Sequence, residues 1–168
     1  MTVRDPDFAK GQLALRDVEK GDIPTFFEHQ SDPTANHMAA FTPKDPTDAD
    51  AHRSRWNRLL EDGTITTRTI IVGGKVVGHI ASFEQSGNRE VTYWIGKEFW
   101  GYGFATGALR EFLLHERQRP LYARAAKDNV ASLRVLEKCG FVRCGEEKGF
   151  ANARNQEVEE YVLVLRTS

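Results

Sequence analysis

Glycines at positions 101 and 103 form the first feature of the sequence whose spacing could serve chemistry. They stand between a strand that we expect to end at Ile95 and an amphipathic helix that we expect to begin at Gly103. Glycine lets the backbone approach a ligand closely, and the first turn of a helix presents N–H groups at the positive end of its dipole. The segment from Trp100 to Thr106 therefore predicts an anion site, most naturally for phosphate groups. A lone Gly-x-Gly also fits a tight turn without a ligand.

Two common phosphate motifs do not fit this segment. No Gly-Lys-Ser or Gly-Lys-Thr is present, so the segment is not a P-loop. Thr106 stands where a dinucleotide fingerprint has its third glycine. The preceding strands also form hairpins, whereas the dinucleotide fold requires βαβ crossovers. A phosphate site at this position must therefore belong to another fold.

A second polar feature opens the next helix, which we predict over residues 130–139. Asn129 stands at its start, where an Asn side chain commonly caps the first turn. Gly140 follows the helix and Phe141 comes next, which is typical of a Schellman ending with its apolar contact. Capping alone explains an Asn at this position.

These features must be positioned by strands and helices that the periodicity of apolar residues predicts. The predicted strands cover residues 12–16, 64–72, 75–83, 90–95, 121–125, 141–145 and 157–165. The predicted helices cover residues 23–29, 48–61, 103–118 and 130–139. The order β-α-α-β-β-β-α-β-α-β-β indicates an α+β domain built around a mixed sheet.

The segment over residues 31–50 carries Pro33, Pro43 and Pro46 among small polar residues. We predict a long loop there, and long loops within compact domains are often functional. What precedes the loop is too short to be a domain. We therefore expect one domain over residues 1–168, with residues 1–9 as a poorly ordered tail.

The composition of the 168 residues is that of a soluble globular domain. Hydrophobic residues make up 40% and charged residues 28%, which is ordinary for a folded chain. The 23 Lys and Arg against 24 Asp and Glu give a net charge of −1, which argues against a dedicated nucleic-acid binder. No apolar run approaches the roughly 20 residues of a membrane span, and the N-terminus has no apolar signal segment. We expect no nucleic-acid or membrane partner and a cytoplasmic location.

The cysteines and histidines fit no metal site, and we expect no metal. Cys139 and Cys144 stand five residues apart, which matches neither zinc nor redox spacing. Two reduced thiols in a cytosolic protein explain them. Four histidines also lack the spacing of metal ligands, and we predict surface or loop positions for them: His29, His37, His52 and His115.

The segment Trp100-Gly101-Tyr102-Gly103-Phe104-Ala105 resembles the acetyl-CoA pyrophosphate loop of GNAT-type N-acetyltransferases, whose pattern is Arg/Gln-x-x-Gly-x-Gly/Ala. Gly103 and Ala105 match, whereas Trp100 departs from Arg or Gln at the first position. Residues 129–132 (Asn-x-x-Ser) and 138–141 (Lys-Cys-Gly-Phe) resemble a helix of the same family. With Tyr93-Trp94-Ile95 before the loop, the chain is similar to the ribosomal-protein-alanine N-acetyltransferase-like branch from residue 13 to 165.

The resemblance implies a fold and a cofactor. The GNAT fold has a mostly antiparallel sheet of about seven strands, splayed at its centre, with about four helices packed on it. The splayed strands here are residues 90–95 and 121–125, and the pantetheine arm of acetyl-CoA pairs with the first strand like an added strand. The resemblance places acetyl-CoA contacts at Trp94, Ile95, Gly96, Trp100, Gly101, Tyr102, Gly103, Phe104, Ala105, Thr106, Asn129 and Ser132.

The implied reaction is direct attack of an amine on the acetyl thioester. Many family members carry a Tyr as the acid where this chain has Leu136. In the ribosomal-type branch the Ser of Asn-x-x-Ser is associated with this role, and Ser132 matches it, although a solvent-facing helix Ser explains it equally. For the base we predict Glu84, which ends the strand next to the cofactor strand. Glu90 and His79 are less favoured, and we expect His79 to be structural.

The acceptor is an amine that the sequence does not identify. A protein N-terminus, an aminoglycoside, a polyamine or an amino-acid analogue fits the reaction, and the loops at residues 31–50 and 149–157 would select it. Dimers are common in the family, and a homodimer is left open. Because Leu136 replaces the family's Tyr, a non-catalytic acyl-CoA-binding or regulatory module on the same fold is the rival hypothesis. A protein that binds another phosphate ligand is the third.

Overall fold

A seven-stranded sheet forms the centre of the computed structural model, which describes residues 11–167. The strands are β1 (Leu13–Arg16), β2 (Thr66–Val72), β3 (Lys75–Gln85), β4 (Asn88–Ile95), β5 (Leu121–Ala126), β6 (Val142–Ala151) and β7 (Gln156–Leu165). Their order is β1-β2-β3-β4-β5-β7-β6, and only β4 and β5 are parallel neighbours. The predicted α+β fold with a mixed sheet is confirmed. The predicted tail at residues 1–9 lies outside the described residues.

The two central parallel strands diverge. β4 and β5 pair through Arg89 with Leu121 and through Glu90 with Tyr122, and both strands continue beyond that point. No further ladder joins them, so a gap opens between their carboxyl ends. This gap is the predicted splay at the centre of the sheet.

Five α-helices within the described residues cover the sheet: α1 (Ile23–Ser31), α2 (Pro33–Ala39), α3 (Ala49–Glu61), α4 (Phe104–Leu113) and α5 (Val130–Lys138). α4 and α5 bury Leu109, Phe112 and Leu133 against Ile80 and Leu163 of the sheet in the main core. None of the helices within residues 11–167 is long and apolar enough to cross a membrane.

The opposite face of the sheet carries a layer of rings beneath α1 and α3. Phe26 of α1, Trp56 of α3 and His79 of β3 pack pairwise with ring centroids 4.8 to 4.9 Å apart. Desolvation by burial lowers the pKa of His79 to about 3. The imidazole is therefore neutral at physiological pH and belongs to the packing, as expected for a structural residue.

Two of the four histidines predicted to lie on the surface are buried. His29 of α1 and His52 of α3 face the layer between helix and sheet, so these two predictions are wrong. Desolvation lowers the pKa of both, that of His52 to about 4. His37 and His115 are exposed. The sequence error arose because a neutral imidazole packs like an aromatic ring, which the polar character of His conceals.

The long loop predicted over residues 31–50 is wrong in its first half, where α2 forms. Asp32 caps this helix by accepting the Ala35 N–H at 2.9 Å. Pro33 follows with the φ that a first helical position requires. Residues 11–167 therefore contain five α-helices, where about four were predicted, and the irregular segment shrinks to residues 40–48.

α4 is shorter than the predicted helix over residues 103–118. It ends at Leu113, where the apolar stripe also ends. Beyond it, the Glu116 carboxylate accepts a hydrogen bond from Arg89 Nε of β4 at 2.7 Å. This tertiary ion pair fixes the chain after the helix, and local periodicity could not reveal it.

β6 is longer than the predicted strand over residues 141–145. Main-chain pairing with β7 continues until Ala151 lies opposite Gln156. The residues of this edge strand are exposed along most of its length, so no alternation of apolar residues marks it. The loop predicted over residues 149–157 is reduced to a turn at residues 152–155.

Candidate active site

A cavity of about 510 Å³ lies where β4 and β5 diverge. Its walls are the end of β4, the segment leading into α4, the first turns of α5 and, from the other face of the sheet, α2. It is lined by Ala35, Met38, Ala39, Tyr93, Trp94, Ile95, Phe99, Trp100, Gly101, Gly103, Phe104, Ala105, Thr106, Asn129, Ala131, Ser132, Arg134, Val135 and Lys138. All the predicted acetyl-CoA contacts except Gly96 and Tyr102 are among these residues.

Two glycines in the left-handed region shape the start of α4. Gly101 has a φ of 85° and Gly103 a φ of 80°, a conformation that costs a residue with a Cβ about 1–2 kcal/mol. Gly103 is the N-cap of the ten-residue helix, no side chain caps it, and a methyl group there would meet nothing within 4 Å. The first turn of α4 therefore borders open space, which is the arrangement that an anion site requires.

Trp100 stands where the family pattern has Arg or Gln, and it braces the end of β4. Its indole Nε1 donates a hydrogen bond to the Ile95 carbonyl at 2.9 Å. An Arg or Gln side chain could direct its donors at a phosphate, whereas this indole N–H is engaged with the backbone. An anion in this part of the cavity therefore depends on main-chain N–H groups.

The main chain of β4 presents alternate residues to the gap. The Gly96 N–H donates to the Val77 carbonyl of β3 at 2.9 Å. Because the main-chain groups of a strand alternate between its two sides, Trp94 and Gly96 face β3, whereas Tyr93 and Ile95 face the gap. A pantetheine that pairs with β4 thus meets the main chain of Tyr93 and Ile95.

Gly96 also serves packing. A Cβ at this position would lie 2.7 Å from His29 Cδ2, so only glycine allows α1 to pack against the end of β4. The His29 ring also packs edge to face with Phe99, with centroids 6.0 Å apart. The sequence does contain a sign that His29 is buried. His29 stands three residues after Phe26, and this spacing places both side chains on one face of α1.

The first turn of α5 carries polar groups of the cavity. Asn129 Oδ1 accepts the Ser132 N–H at 3.3 Å, so Asn129 caps the helix, and its Nδ2 donates to the Met38 carbonyl of α2 at 3.4 Å. Ser132 Oγ lies 2.8 Å from the Tyr93 hydroxyl, which is also 3.3 Å from the Ser132 carbonyl. Desolvation raises the pKa of Tyr93 to about 12. The phenol is therefore protonated at neutral pH.

Glu84, the predicted base, lies away from this cavity. It pairs across the β3–β4 ladder with Arg89, at the end where β4 and β5 are still joined, and it accepts a hydrogen bond from Gln118 at 3.3 Å. Tyr93 lies four residues further along β4, about 13 Å away at the usual rise of a strand. The structure does not bring Glu84 to the lining residues, and its catalytic role stays a prediction.

Three carboxylates gather around one guanidinium at the splayed strands. Arg124 of β5 donates to Glu90 at 2.9 Å, to Glu160 at 3.3 Å and to Glu147. Burial raises the pKa of Glu160, and Arg124 offsets this only in part because Glu147 and Glu90 are close by. Among the three carboxylates around Arg124, Glu160 is therefore the one whose pKa is raised. Sequence reasoning missed it because β5, β6 and β7 contribute from distant segments.

The strand register places Glu160 on the face of the sheet that α2 covers, although Glu160 is not among the residues that line the cavity. Glu160 lies opposite Ala126 of β5, and Ala126 packs against Ala40, directly after α2. Glu90 of β4 pairs with Tyr122 of β5. Trp94 lies four positions after Glu90, and Ala126 lies four positions after Tyr122. Glu160 therefore lies level with Trp94, but on β7, so that β5 stands between Glu160 and the gap.

The turn between β6 and β7 holds α2 in place. Arg154 binds the Asp128 carboxylate through two nitrogens at 2.5 and 2.9 Å, and its Nε donates to the His37 carbonyl at 2.9 Å. Asn152 Nδ2 donates to the Thr42 carbonyl at 2.7 Å. The segments that we expected to select the acceptor are therefore in contact, and the start of α5 is tied to both.

The divergent strands, the glycine turn before α4 and the capped start of α5 define an acetyltransferase of the GNAT type. The family model described as "Acetyltransferase (GNAT) domain" matches residues 12–142, and the chain belongs to this family. The membership expected from the sequence is confirmed, and the protein is an acyltransferase.

Individual relatives are distant in sequence but similar in fold. An uncharacterized N-acetyltransferase, p20 of Bacillus licheniformis, is 24% identical over 164 residues, 92% of each chain. The spermidine N-acetyltransferase of Vibrio cholerae, solved with CoA and spermine, has a TM-score of 0.75 at 22% identity over 91% of this chain and 95% of that chain. A ribosomal-protein-alanine N-acetyltransferase of Brucella melitensis has a TM-score of 0.77 at 19% identity over 91% and 99%. The predicted GNAT fold is confirmed.

Proposed function

We propose that the chain transfers the acetyl group of acetyl-CoA to a primary amine by direct attack in a ternary complex. The observation that carries the proposal is the cavity at the splayed strands, whose walls come from both faces of the sheet. A thioester that enters between α4 and α5 and an amine that enters beside α2 would meet at the end of β4. The similar proteins named for spermidine and for a ribosomal-protein alanine indicate a polyamine and a protein N-terminus as acceptor classes to test.

In this proposal acetyl-CoA is held mainly by main-chain groups. The pantetheine pairs with β4 through Tyr93 and Ile95, and the pyrophosphate is bound by N–H groups of residues 101–106. Two observations support the second contact: the left-handed φ of Gly101 and Gly103, and the open space beside Gly103. Because main-chain dipoles supply the positive potential, a chain with a net charge of −1 can hold a polyanionic cofactor.

The attacking amine must lose a proton, since a Lys-type ammonium has a pKa of about 10 and an α-ammonium a pKa of about 8. We infer that Glu160 is the general base and that it acts through a water molecule, because it lies outside the residues that line the cavity. It lies at the height of Trp94 on the α2 side, and burial moves its pKa toward neutrality, where a base accepts a proton most effectively. The ammonium releases one proton through a water molecule to Glu160, from which it passes to solvent. The neutral amine then forms its bond to the acetyl carbon, the nitrogen's second proton follows the same route to Glu160, and the C–S electron pair leaves on sulfur.

The test is an amine panel with acetyl-CoA, in which released CoA is followed with a thiol-reactive dye. The panel contains spermidine, a peptide with a free N-terminal Ala, an aminoglycoside and free amino acids. We expect amine-dependent release of CoA for at least one class, and a rise in Tm on adding acetyl-CoA. Tight CoA binding without turnover on any amine would favour the binding module. Absence of a Tm rise would favour another phosphate ligand.

A further inference from the structure

We infer that Tyr93 is a positioning residue, which holds the Ser132 hydroxyl as a hydrogen-bond donor to the CoA thiolate that leaves during acetyl transfer. This inference rests on the proposed function. Its basis is the 2.8 Å contact between the Tyr93 hydroxyl and Ser132 Oγ, made inside the cavity that both residues line.

The role of Tyr93 depends on which of the two hydroxyls donates in this contact. A serine hydroxyl has one proton and two lone pairs, and a phenol has one proton. Either hydroxyl can donate in the 2.8 Å contact, and the Tyr93 hydroxyl also has the Ser132 carbonyl within reach at 3.3 Å. In the proposed arrangement the Tyr93 proton lies on Ser132 Oγ, which leaves the serine's own proton for an acceptor in the cavity.

The backbone of Ser132 is held independently of this contact. Its N–H donates to Asn129 Oδ1 at 3.3 Å, within the first turn of α5. Tyr93 approaches from β4, a strand more than thirty residues earlier in the sequence. One partner thus fixes the main chain of Ser132 and the other fixes its hydroxyl rotamer. A freely rotating helix serine would have neither constraint.

The pair acts by hydrogen bonding and not by net proton transfer. A thiol has a pKa of about 8.5, whereas the pKa of Tyr93 is raised to about 12, so moving the phenol proton to the thiolate is unfavourable. Two hydrogen bonds in series polarise one another, and Tyr93 therefore makes Ser132 a stronger donor to sulfur. The C–S electron pair stays on sulfur, and CoA leaves as the thiolate.

This arrangement accounts for a departure from the family pattern. Leu136 occupies the position where many relatives carry a Tyr on α5, and it is buried in the main core. A phenol is nevertheless present in the cavity, but it comes from β4 and reaches sulfur only through Ser132. In this proposal Ser132 makes the contact with the leaving group, and Tyr93 supports Ser132 from a different element.

The test compares Tyr93→Phe, Ser132→Ala and the double variant. Tyr93→Phe keeps the ring packing and removes only the hydroxyl. We expect kcat to fall about tenfold, the loss of one hydrogen bond, while KM for the amine and Kd for CoA change less than twofold. In Ser132→Ala, kcat should fall further than in Tyr93→Phe. The double variant should match Ser132→Ala within twofold, because Tyr93 acts through Ser132.

Tyr122→Phe is the matched control, since it removes a phenol at the closed end of the strands and should leave kcat unchanged. Wild-type turnover is measured in the same assay, and its absence on every amine overturns the proposed function itself. With an active wild type, the role of Tyr93 is overturned by a full kcat in Tyr93→Phe, by an equal further loss in the Ser132→Ala background, or by weakened CoA binding that accounts for the loss.

Discussion

The two sides of the cavity differ in whether main chain or side chains form them. On the α4–α5 side, the walls are main chain held by glycines in the left-handed region and by the start of two helices. On the α2 side, the walls are held by side chains of the β6–β7 turn, and carboxylates surround Arg124 nearby. One side is built from main chain, and the other is built from side chains of segments that are far apart in the sequence.

This difference explains what each side can do. A backbone site recognises a fixed group such as pyrophosphate and tolerates changes in most side chains around it. A side-chain site takes its charge, shape and reach from a few residues, so it can be altered to accept a different amine without disturbing the cofactor. We therefore expect substitutions on the two sides to separate cleanly in kinetics, and the following variants test this separation.

The largest effect is expected from Glu160→Gln, which keeps the shape of the side chain and removes the base. We expect kcat/KM to fall about 100-fold with little change in the Kd of CoA. In the wild type, kcat/KM should fall as the pH drops through the raised pKa of Glu160, because only the ionised carboxylate accepts a proton. The part of this acid limb that comes from Glu160 should be absent from Glu160→Gln, which keeps only the part that comes from the substrate amine.

Glu84→Gln is the competing variant. If the prediction from the sequence is right, the loss and the missing acid limb will appear in Glu84→Gln and not in Glu160→Gln. Its distance from the cavity favours a small effect, confined to the contacts with Gln118 and Arg89. Equal losses in both variants would show that neither carboxylate alone is the base.

The second prediction concerns the pH dependence of stability. It tests His52, which is buried beside the ring layer under α1. Folding lowers the pKa of His52 from an ordinary value near 6.5 to about 4, so the folded state favours the neutral ring. Stability is therefore full above pH 6.5 and is lost as the pH falls toward 4. We expect the wild type to lose about 1 to 2 kcal/mol more than His52→Leu between pH 8 and pH 5, as measured by urea unfolding. Equal losses in both proteins would contradict this.

Much of the α4–α5 side of the cavity could be predicted from the sequence. Little of the α2 side could be predicted. The glycines, the Asn129 cap and the Schellman ending at Gly140 lie within short segments, where spacing alone dictates geometry. α2 was not predicted, because its seven residues show no apolar stripe. Asp32 and Pro33 are nevertheless typical residues for the start of a helix. Local signals of this kind are readable once a rule for them is applied.

The remaining site residues have no local signal. The contact of Tyr93 with Ser132 depends on α5 docking over β4, and Glu160 meets Arg124 only because β7 lies between β5 and β6. Glu84 was favoured by its position at a strand end, but which end of the β4–β5 pair opens is decided by the whole sheet. Contacts of this kind follow from topology and not from spacing.

The third prediction isolates the backbone side. Gly103→Ala and Gly87→Ala are closely matched, since their φ values are 80° and 81° and a methyl group at either position meets nothing within 4 Å. Both variants should lose about 1–2 kcal/mol of stability. Only Gly103→Ala should weaken CoA binding, by about tenfold, because its methyl group occupies the space beside the first turn of α4. Calorimetry with CoA measures the difference, and equal affinities would remove the glycine turn from the cofactor site.

The smallest effect is expected from Arg154→Ala on the side-chain side. The variant removes the two bonds to Asp128 and the one to the His37 carbonyl, so α2 loses a tie to the start of α5. The Asn152 contact with Thr42 remains, and the helix should shift without unfolding.

We expect KM for the amine to rise about fivefold, roughly 1 kcal/mol, and the Kd of CoA to change less than twofold. Arg154→Lys should resemble Arg154→Ala, because a lysine cannot form the bidentate pair. Arg143→Ala removes an exposed arginine of the same strand pair, bound to Glu137 at 3.2 Å, and should leave KM unchanged. If Arg154→Ala weakens CoA as much as the amine, the two sides are coupled through the start of α5. The contact of Asn129 with Met38 would then be the structural link between them.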